Sequence, residues 1–344
     1  MGKKAPNIKD VAILANVSIA TVSHVVNGTR FVSEETTAIV RNAIRELDYR
    51  PNLTALSLRK RKSKIIGLLI PILQDDTSNI FFSRLSLGVE DELKPNNMFF
   101  FLGNTQDDVD SEISLIKNLV DRQLDGLIIT PCLKDHRFVR DIVWDIPVVY
   151  VDRKPLGVEN ANCVMSDSET ACWNAISEQI NMGHRKIGII CAPIDTTANI
   201  KERLNGYLRA LQEHHIDINQ KLIIEGEYNV LAGYKLAERL LEYDQTVTSI
   251  MITNNIHALG ALQYIKEKGL RIPEDINITI FDDYDWTRVY SPSLTVIRQN
   301  PYEMGRKAVK ILMKQKVDGS VIGKTYIMSP ELIKRNSWCA FKSR

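Results

Sequence analysis

The stretch Ile8–Asn27, IKDVAILANVSIATVSHVVN, decides how the rest of the chain is read. It holds two short amphipathic segments with a tight turn between them. Val11, Ala12 and Leu14 fall on one face of the first segment at helical spacing, and Asn16 interrupts the run. Ser18 is suited to cap a second helix, and Val22, Val25 and Val26 give that helix its apolar face. Ser18, Thr21, Ser23 and His24 are left pointing outward, short and polar. Such a pair is either an ordinary helical hairpin or a helix-turn-helix whose second helix enters a DNA major groove.

The charge around this stretch favours the second reading. Residues 1–64 hold 12 Lys/Arg against 5 Asp/Glu, a balance of +7, whereas the remainder holds 32 against 37, or −5. A basic head on a body that is not basic points to nucleic acid. An anionic membrane surface would require a large amphipathic face, which the head lacks. Ser33 is placed to cap a third helix, with Glu34 and Glu35 in its first turn and Ile39, Val40, Ala43, Ile44 and Leu47 as its apolar stripe. Three helices over about 50 residues make a marginal core, so the head is expected to gain order from DNA or from a dimer neighbour. Tyr49-Arg50-Pro51-Asn52 then stops the helix. LTALSLRKRKSK (53–64) mixes aliphatics with a dense basic run, and reads either as a helix that forms only against DNA or as a solvated tether.

From Lys64 onward, short apolar runs alternate with helical patterns. KIIGLLIP (64–71), MFFFLGN (98–104), DGLIITP (125–131) and PVVYVD (147–152) make one series. KIGIICAP (186–193), SIMITN (249–254) and INITIFDD (276–283) make another. Continuous apolar strands separated by helices mean parallel sheets covered on both faces, and two series mean two doubly wound lobes. Ligands of such sheets bind at the carboxyl ends of the strands, so a cleft between the lobes is the natural site.

The 344 residues, 44% apolar and 25% charged, suit a soluble globular protein of two or three domains. No apolar run approaches the roughly 20 residues that span a bilayer, and no signal peptide is evident. The five cysteines (132, 163, 172, 191 and 339) lack a CxxC pair, which fits a reducing cytoplasm. Enzyme signatures are missing. Gly319 and Gly323-Lys324-Thr325 imitate a P-loop, but their spacing is short and they lead into a strand-like run. Neither GxSxG nor HExxH occurs. The acidic FDDYD run (281–285) lacks EF-hand spacing and is not read as a metal site.

The chain resembles the LacI/GalR family of bacterial transcription regulators. The resemblance rests on IKDVAILANVSIATVSHVVNG, VSEET and YRPN in the head. In the body it rests on SNIFF (78–82), DGLII (125–129), VVYVDR (148–153), MGHRKIGII (182–190), ALGAL (258–262), FDD (281–283), PSLTVIRQ (292–299) and MGRKA (304–308). Each is weak alone; their order and spacing together are specific and span nearly the whole chain. The resemblance implies an all-α helix-turn-helix head (1–51), a hinge (52–63) and an α/β effector-binding and dimerisation body (64–344). The body would be periplasmic-binding-protein-like, with two doubly wound parallel-sheet lobes and three chain crossings, placed near residues 166, 294 and 326. The N-lobe would then comprise 64–166 plus 295–325, and the C-lobe 167–294 plus 326–344.

It also implies roles. Ile19, Ala20 and His24 match the family's base-reading positions. Ser18, Thr21, Ser23, Asn27, Ser33 and Thr36 fit phosphate contacts, which position a head without specifying sequence. His24 departs from the family, which usually has arginine there. Arginine reads guanine bidentately and histidine cannot, so the operator is expected to differ at the base facing it. In the hinge, Leu58 corresponds to the leucine wedged into the minor groove, with Asn52, Ala55 and Arg59 beside it. The matching effector positions are Asn79, Phe81, Asp152, Arg203, Tyr228, Asn255 and Asp283, a set suited to a polyhydroxylated ligand. Asn255 stands where the family usually has a carboxylate.

The expected function is a ligand-responsive repressor that is not an enzyme and uses no cofactor or metal. Its partners would be operator double-stranded DNA and a sugar or related small polar metabolite, with no membrane. No heptad tail follows RNSW (335–338), so a homodimer is expected. The alternatives are a sugar-binding protein without a regulatory role and an enzyme on the same scaffold.

Overall fold

The computed structural model describes residues 6–27, 30–47, 63–73, 79–132, 135–144, 146–194, 198–318 and 323–341. The chain divides into two units, residues 1–63 and 64–344. The hinge positions Asn52, Ala55, Leu58 and Arg59 lie outside the described residues.

The described residues of the first unit form three helices, α1 (Ile8–Leu14), α2 (Ile19–Asn27) and α3 (Glu34–Glu46). A capping box not expected from the sequence starts α1. The Asn7 side chain accepts from the Lys9 amide and the Asp10 carboxylate accepts from the Asn7 amide, each at 2.8 Å. Asn16 adopts φ 50°, a left-handed conformation that asparagine tolerates, and turns the chain into α2. Val11, Ala12, Ala15, Val22, Val40 and Ala43 form the buried core. Leu14 and Ile39 were expected in that core but are 43% and 46% exposed. Ala15, not Leu14, continues the stripe set by Val11 and Ala12, because a helical stripe runs i, i+1, i+4.

The second unit contains two six-stranded sheets with one design. Strands β1 (Ile65–Ile70), β2 (Phe99–Asn104), β3 (Gly126–Ile129), β4 (Val148–Val151), β5 (Asn162–Ser166) and β11 (Thr325–Met328) form the N-lobe sheet in the order β11-β5-β4-β3-β1-β2. Strands β6 (Ile187–Cys191), β7 (Ile223–Glu225), β8 (Ser249–Ile252), β9 (Asn277–Phe281), β10 (Thr295–Arg298) and β12 (Glu331–Ile333) form the C-lobe sheet in the order β12-β10-β9-β8-β6-β7. Every neighbouring pair is parallel except β10 with β12. Each central strand is buried on both sides, as the unbroken apolar runs require.

Helices cover both faces. In the N-lobe, α4 (Asn79–Leu93) and α12 (Pro301–Asp318) pack on one face, and α5 (Val109–Val120) and α6 (Arg137–Val143) on the other. In the C-lobe, α7 (Ser168–Asn181) and α8 (Ala198–Glu213) oppose α9 (Val230–Tyr243) and α10 (Asn255–Glu267). A short α11 (Asp285–Val289) follows β9. This is the doubly wound pair of lobes expected from the sequence.

Two of the three crossings differ from expectation. The first leaves β5 at Ser166. The second comes at Gln299–Asn300 and not near 294, because the apolar Thr295–Arg298 run is β10, paired with β9 in the C-lobe sheet. The third follows Met328 and not 326, because Tyr326 pairs with Val164 inside β11.

Candidate DNA-reading helix and ligand cleft

In the first unit, Ile19 and Ala20 are exposed and His24 is half-buried on α2. Ser18 and Thr21 are engaged with each other. The Ser18 hydroxyl accepts from the Thr21 amide at 3.0 Å, and the two hydroxyls are 2.8 Å apart. Ser33 and Thr36 repeat the arrangement at the start of α3, with the Thr36 amide donating at 3.3 Å and the hydroxyls 2.9 Å apart. Ser18 and Ser33 are therefore helix caps, braced by the Thr21 and Thr36 hydroxyls, and each hydroxyl keeps hydrogen-bonding capacity. Ser23 is half-buried; Asn27 ends α2, and its side chain lies outside the described residues.

In the second unit, polar side chains collect where the strands of both lobes end. Asp152 follows β4 and Asp282 follows β9, the equivalent strand of the other lobe. Both carry left-handed backbones, with φ 68° and 77°. Both amides reach across to the next strand, Asp152 donating to the Val164 carbonyl at 3.0 Å and Asp282 to that of Ile297 at 2.8 Å. The two carboxylates are thus presented by matching turns of a duplicated fold. Left-handed non-glycine residues are strained, and such strain concentrates at binding sites.

Other side chains tie these carboxylates together. Asn199 on α8 donates to Asp152 at 3.0 Å. Gln299, on the second crossing, donates to Asp282 at 2.7 Å and accepts from Ser166 at the end of β5. Arg203 lies over the Phe281 ring, 3.6 Å from its centroid, and donates to the Thr253 carbonyl. Asn255 donates to the Phe281 carbonyl at 2.8 Å. Burial pushes Asp152 above the usual carboxylate range, although Arg153, Arg203 and the Asn199 bond pull the other way. Burial also raises Asp282, against the pull of Arg203 and Gln299, and the nearby Asp152 charge adds to the rise. Four buried atoms of the group have no protein partner: Asn199 Oδ1, Arg203 Nε, Thr253 Oγ1 and Asn255 Oδ1. Buried polar groups are nearly always paired, so an unpaired set gathered at the strand ends of the two lobes is suited to a polar ligand.

Of the seven effector positions expected from the sequence, the structure gathers Asp152, Arg203 and Asn255 into this group. Phe81 is 5% exposed and packs edge-on to Phe82 in the N-lobe core, which corrects its assignment. Asn79 opens α4 and donates to the Leu73 carbonyl at 2.9 Å, with a buried Oδ1 left unpaired. Tyr228 is exposed and stands 5.9 Å from the ring of His257.

Asp283 requires a second correction. It points away into the C-lobe, where Arg335 grips both its oxygens at 2.8 Å and Thr287 and Arg288 donate at 2.9 and 3.1 Å. Burial opposes its charge, but the bonds from Arg335, Arg288 and Thr287 prevail and hold its carboxyl below the usual range. The carboxylate that stands with Asp152 and Arg203 is Asp282. Sequence reasoning missed it, together with Asn199, Gln299 and Ser166. Aligning the two lobes would have found it, since VVYVD and TIFD each end a buried strand in aspartate.

The chain matches the sequence profile described as "Bacterial regulatory proteins, lacI family" over residues 7–52, and that of a periplasmic binding protein-like domain over residues 177–338. It is 33% identical to the HTH-type transcriptional repressor PurR of Aliivibrio salmonicida (strain LFI1238), over 96% of this chain and 98% of that one. Among solved structures, it superposes on a lac repressor dimer bound to operator and the anti-inducer ONPF, with a TM-score of 0.84 at 25% identity, covering 98% of this chain and 100% of that chain. A complex of the transcriptional regulator CelR with cellobiose gives a TM-score of 0.72 at 27% identity, covering 97% of this chain and 100% of that chain.

Proposed function

Because this chain belongs to the lacI family of bacterial regulatory proteins and is a DNA-binding transcriptional repressor, we propose that a hydroxyl-rich small molecule, a sugar or close relative, sets its grip on operator DNA by binding between the lobes. The observation that carries this reading is the group around Asp152, Arg203 and Asp282. Its carboxylates and the free amide oxygens of Asn199 and Asn255 accept from ligand hydroxyls, and the Arg203 guanidinium donates to a ligand oxygen. A sugar presents both functions around a ring, whereas a planar base presents them only at its edge. The CelR structure, solved with cellobiose, lends support from a similar fold.

A ligand shifts a repressor only through different affinities for two arrangements. Two contacts between the lobes are placed to change with it: Asn199 to Asp152, and Arg84 of α4 to the Asp283 carbonyl at 3.2 Å. A purine-related ligand is the second reading, suggested by the PurR relatives. Calorimetric titration with a panel of sugars and purine bases, paired with operator mobility shifts, separates them. The sugar reading expects binding by a sugar together with altered operator affinity. A response confined to purine bases overturns it.

Exposed Ile19, Ala20 and half-buried His24 support base reading by α2, with an operator that departs from the usual family half-site opposite His24. Selection on randomised DNA tests this, and recovery of the usual half-site with unchanged stringency defeats it. Repressors of this family act as dimers. The exposed apolar Phe99, Phe101 and Leu102 on the edge strand β2 support a homodimer here, with its symmetry mirrored in a pseudo-palindromic operator.

A further inference from the structure

Away from the cleft, the N-lobe buries three side chains of different chemistry against one another. Glu112 lies in the first turn of α5, Cys132 follows the end of β3, and His136 immediately precedes α6. Glu112 and His136 are 0% exposed and Cys132 is 3% exposed. His136 Nε2 lies 2.7 Å from Glu112 Oε1 and 3.8 Å from Cys132 Sγ, and one ligand atom from each residue falls within 4.8 Å of the other two. The scaffold is fixed on every side. The second oxygen of Glu112 accepts from the Cys132 amide at 3.0 Å, and the His136 amide donates to the Leu156 carbonyl at 2.8 Å. Phe138 and Tyr150 wall the imidazole, with ring centroids at 5.3 and 6.2 Å.

These residues could be read as a nucleophile relay, but the geometry opposes it. A relay sets the thiol on one ring nitrogen and the carboxylate on the other, so that a proton passes through the ring. Here thiol and carboxylate face the same nitrogen, Nε2, and the whole cluster is closed to substrate. Convergence of oxygen, nitrogen and sulfur on one point is instead what a coordinated cation requires. Bond lengths of about 2.0–2.3 Å to zinc place tetrahedral donor pairs ~3.4 Å apart for N and O and ~3.6 Å apart for N and S. The Cys132–His136 separation already fits, and the Glu112–His136 pair has to open by only ~0.7 Å. A thiolate and a carboxylate together neutralise a divalent charge, which offsets the cost of burying a carboxylate. A thiolate–imidazole–carboxylate set selects zinc and its transition-metal neighbours over magnesium or calcium.

We propose that Glu112, Cys132 and His136 form a binding site for one divalent transition-metal ion, zinc by ligand preference, which clamps α5, the exit of β3 and the start of α6. The site sits close behind the cleft. The carbonyl of Pro131, next to Cys132, accepts from Arg153 at 3.3 Å, and Arg153 adjoins Asp152. The metal therefore stiffens the wall that presents the Asp152 carboxylate.

The test uses the full chain, stripped with chelator and titrated with Zn²⁺ and, separately, Co²⁺. One equivalent of zinc per chain is expected, with a rise in the unfolding temperature of the body. Cobalt is expected to give a near-ultraviolet thiolate-to-metal charge-transfer band. Cys132→Ser should abolish the charge-transfer band and Cys339→Ser should keep it. Glu112→Gln, which retains hydrogen bonding without the charge, should weaken zinc binding tenfold or more. Wild-type chain that takes up no stoichiometric metal at ten-micromolar Zn²⁺, or binds Co²⁺ without a thiolate band, overturns the site whether or not the variants fold. A thiolate band that persists in folded Cys132→Ser also overturns it.

Discussion

Adjacent aspartates after β9 have opposite environments, and each substitution should report its own. Asp282 is in the cleft group, with a carboxyl held above the usual range mainly by burial. Asp282→Asn removes an acceptor for the ligand and relieves a buried charge. Effector affinity is expected to fall by about 10- to 100-fold, since a hydrogen bond to a charged group contributes about 1.5–3 kcal/mol, while the unfolding temperature barely changes. Asp283→Asn strips Arg335 of its carboxylate inside the C-lobe. Losing one partner of a buried pair costs about 3–5 kcal/mol, so stability should drop steeply. Calorimetric titration and thermal unfolding of both variants check this. A silent Asp282→Asn beside a stable, ligand-blind Asp283→Asn would return the site to the carboxylate first read from the sequence. That misreading has a physical source. FDD gives two equivalent letters, and only the left-handed turn at Asp282 decides which one faces the cleft.

Among the elements, helix contacts explain motifs that pattern alone left unassigned. Gly260 of ALGAL lies where α9 and α10 cross. A methyl there would meet the Val230 carbonyl oxygen at 1.9 Å and the Tyr234 amide at 2.5 Å, both backbone atoms that cannot swing aside. Gly260→Ala is expected to cost about 1–3 kcal/mol by forcing the helices apart, read as a lower denaturant midpoint with an unchanged slope. An unchanged midpoint would show that the crossing is loose. The long central strands were legible because strands buried on both faces need unbroken apolar runs, and β1, β3, β6 and β8 have them. β10 was assigned to the wrong lobe because nothing in LTVI records which sheet it joins; pairing with β9 settles that. β12 is only three residues, half-exposed at a sheet edge, and leaves no pattern. The cleft was legible as a place, at the strand ends, and only partly as residues. Its members Asn199 and Gln299 are single polar letters in a helix and a crossing, with no period to mark them.

At the scale of the whole body, two of its buried histidines, His184 and His257, make the fold sensitive to acid. His184 Nδ1 lies 2.9 Å from the Thr248 hydroxyl, and its Nε2 faces both the Cys339 carbonyl at 3.0 Å and the Asn277 side-chain nitrogen at 2.8 Å, so it pins β9 to the C-terminal segment. His257 lies between the Glu227 carbonyl at 2.7 Å and Asn254 at 3.0 Å. Burial pushes both below the ordinary histidine value of 6.5, against the pull of those carbonyls. A histidine with a lower pKa folded than unfolded binds its proton less readily in the native state. Its contribution to stability is therefore intact above pH 6.5 and is lost as the pH falls below that value toward the folded pKa. Asp152 and Asp282 act with the opposite sign. Their folded values lie above the ordinary 3.8, so the native state binds protons more readily and gains relative stability as the pH falls through that raised range. Replacing both with asparagine removes the opposing contribution and exposes that of the histidines. Urea unfolding of the Asp152→Asn/Asp282→Asn chain at pH 7.5, 6.5 and 5.5 should give midpoints that decrease step by step, by more than in wild type. Midpoints that stay level or rise toward pH 5.5 would mean that the histidines are not held neutral by the fold. In wild type the same titration has a counterpart at the cleft. Protonating Asp152 and Asp282 converts acceptors of ligand hydroxyls into neutral acids, so effector affinity should weaken on acidification already above the ordinary carboxylate range.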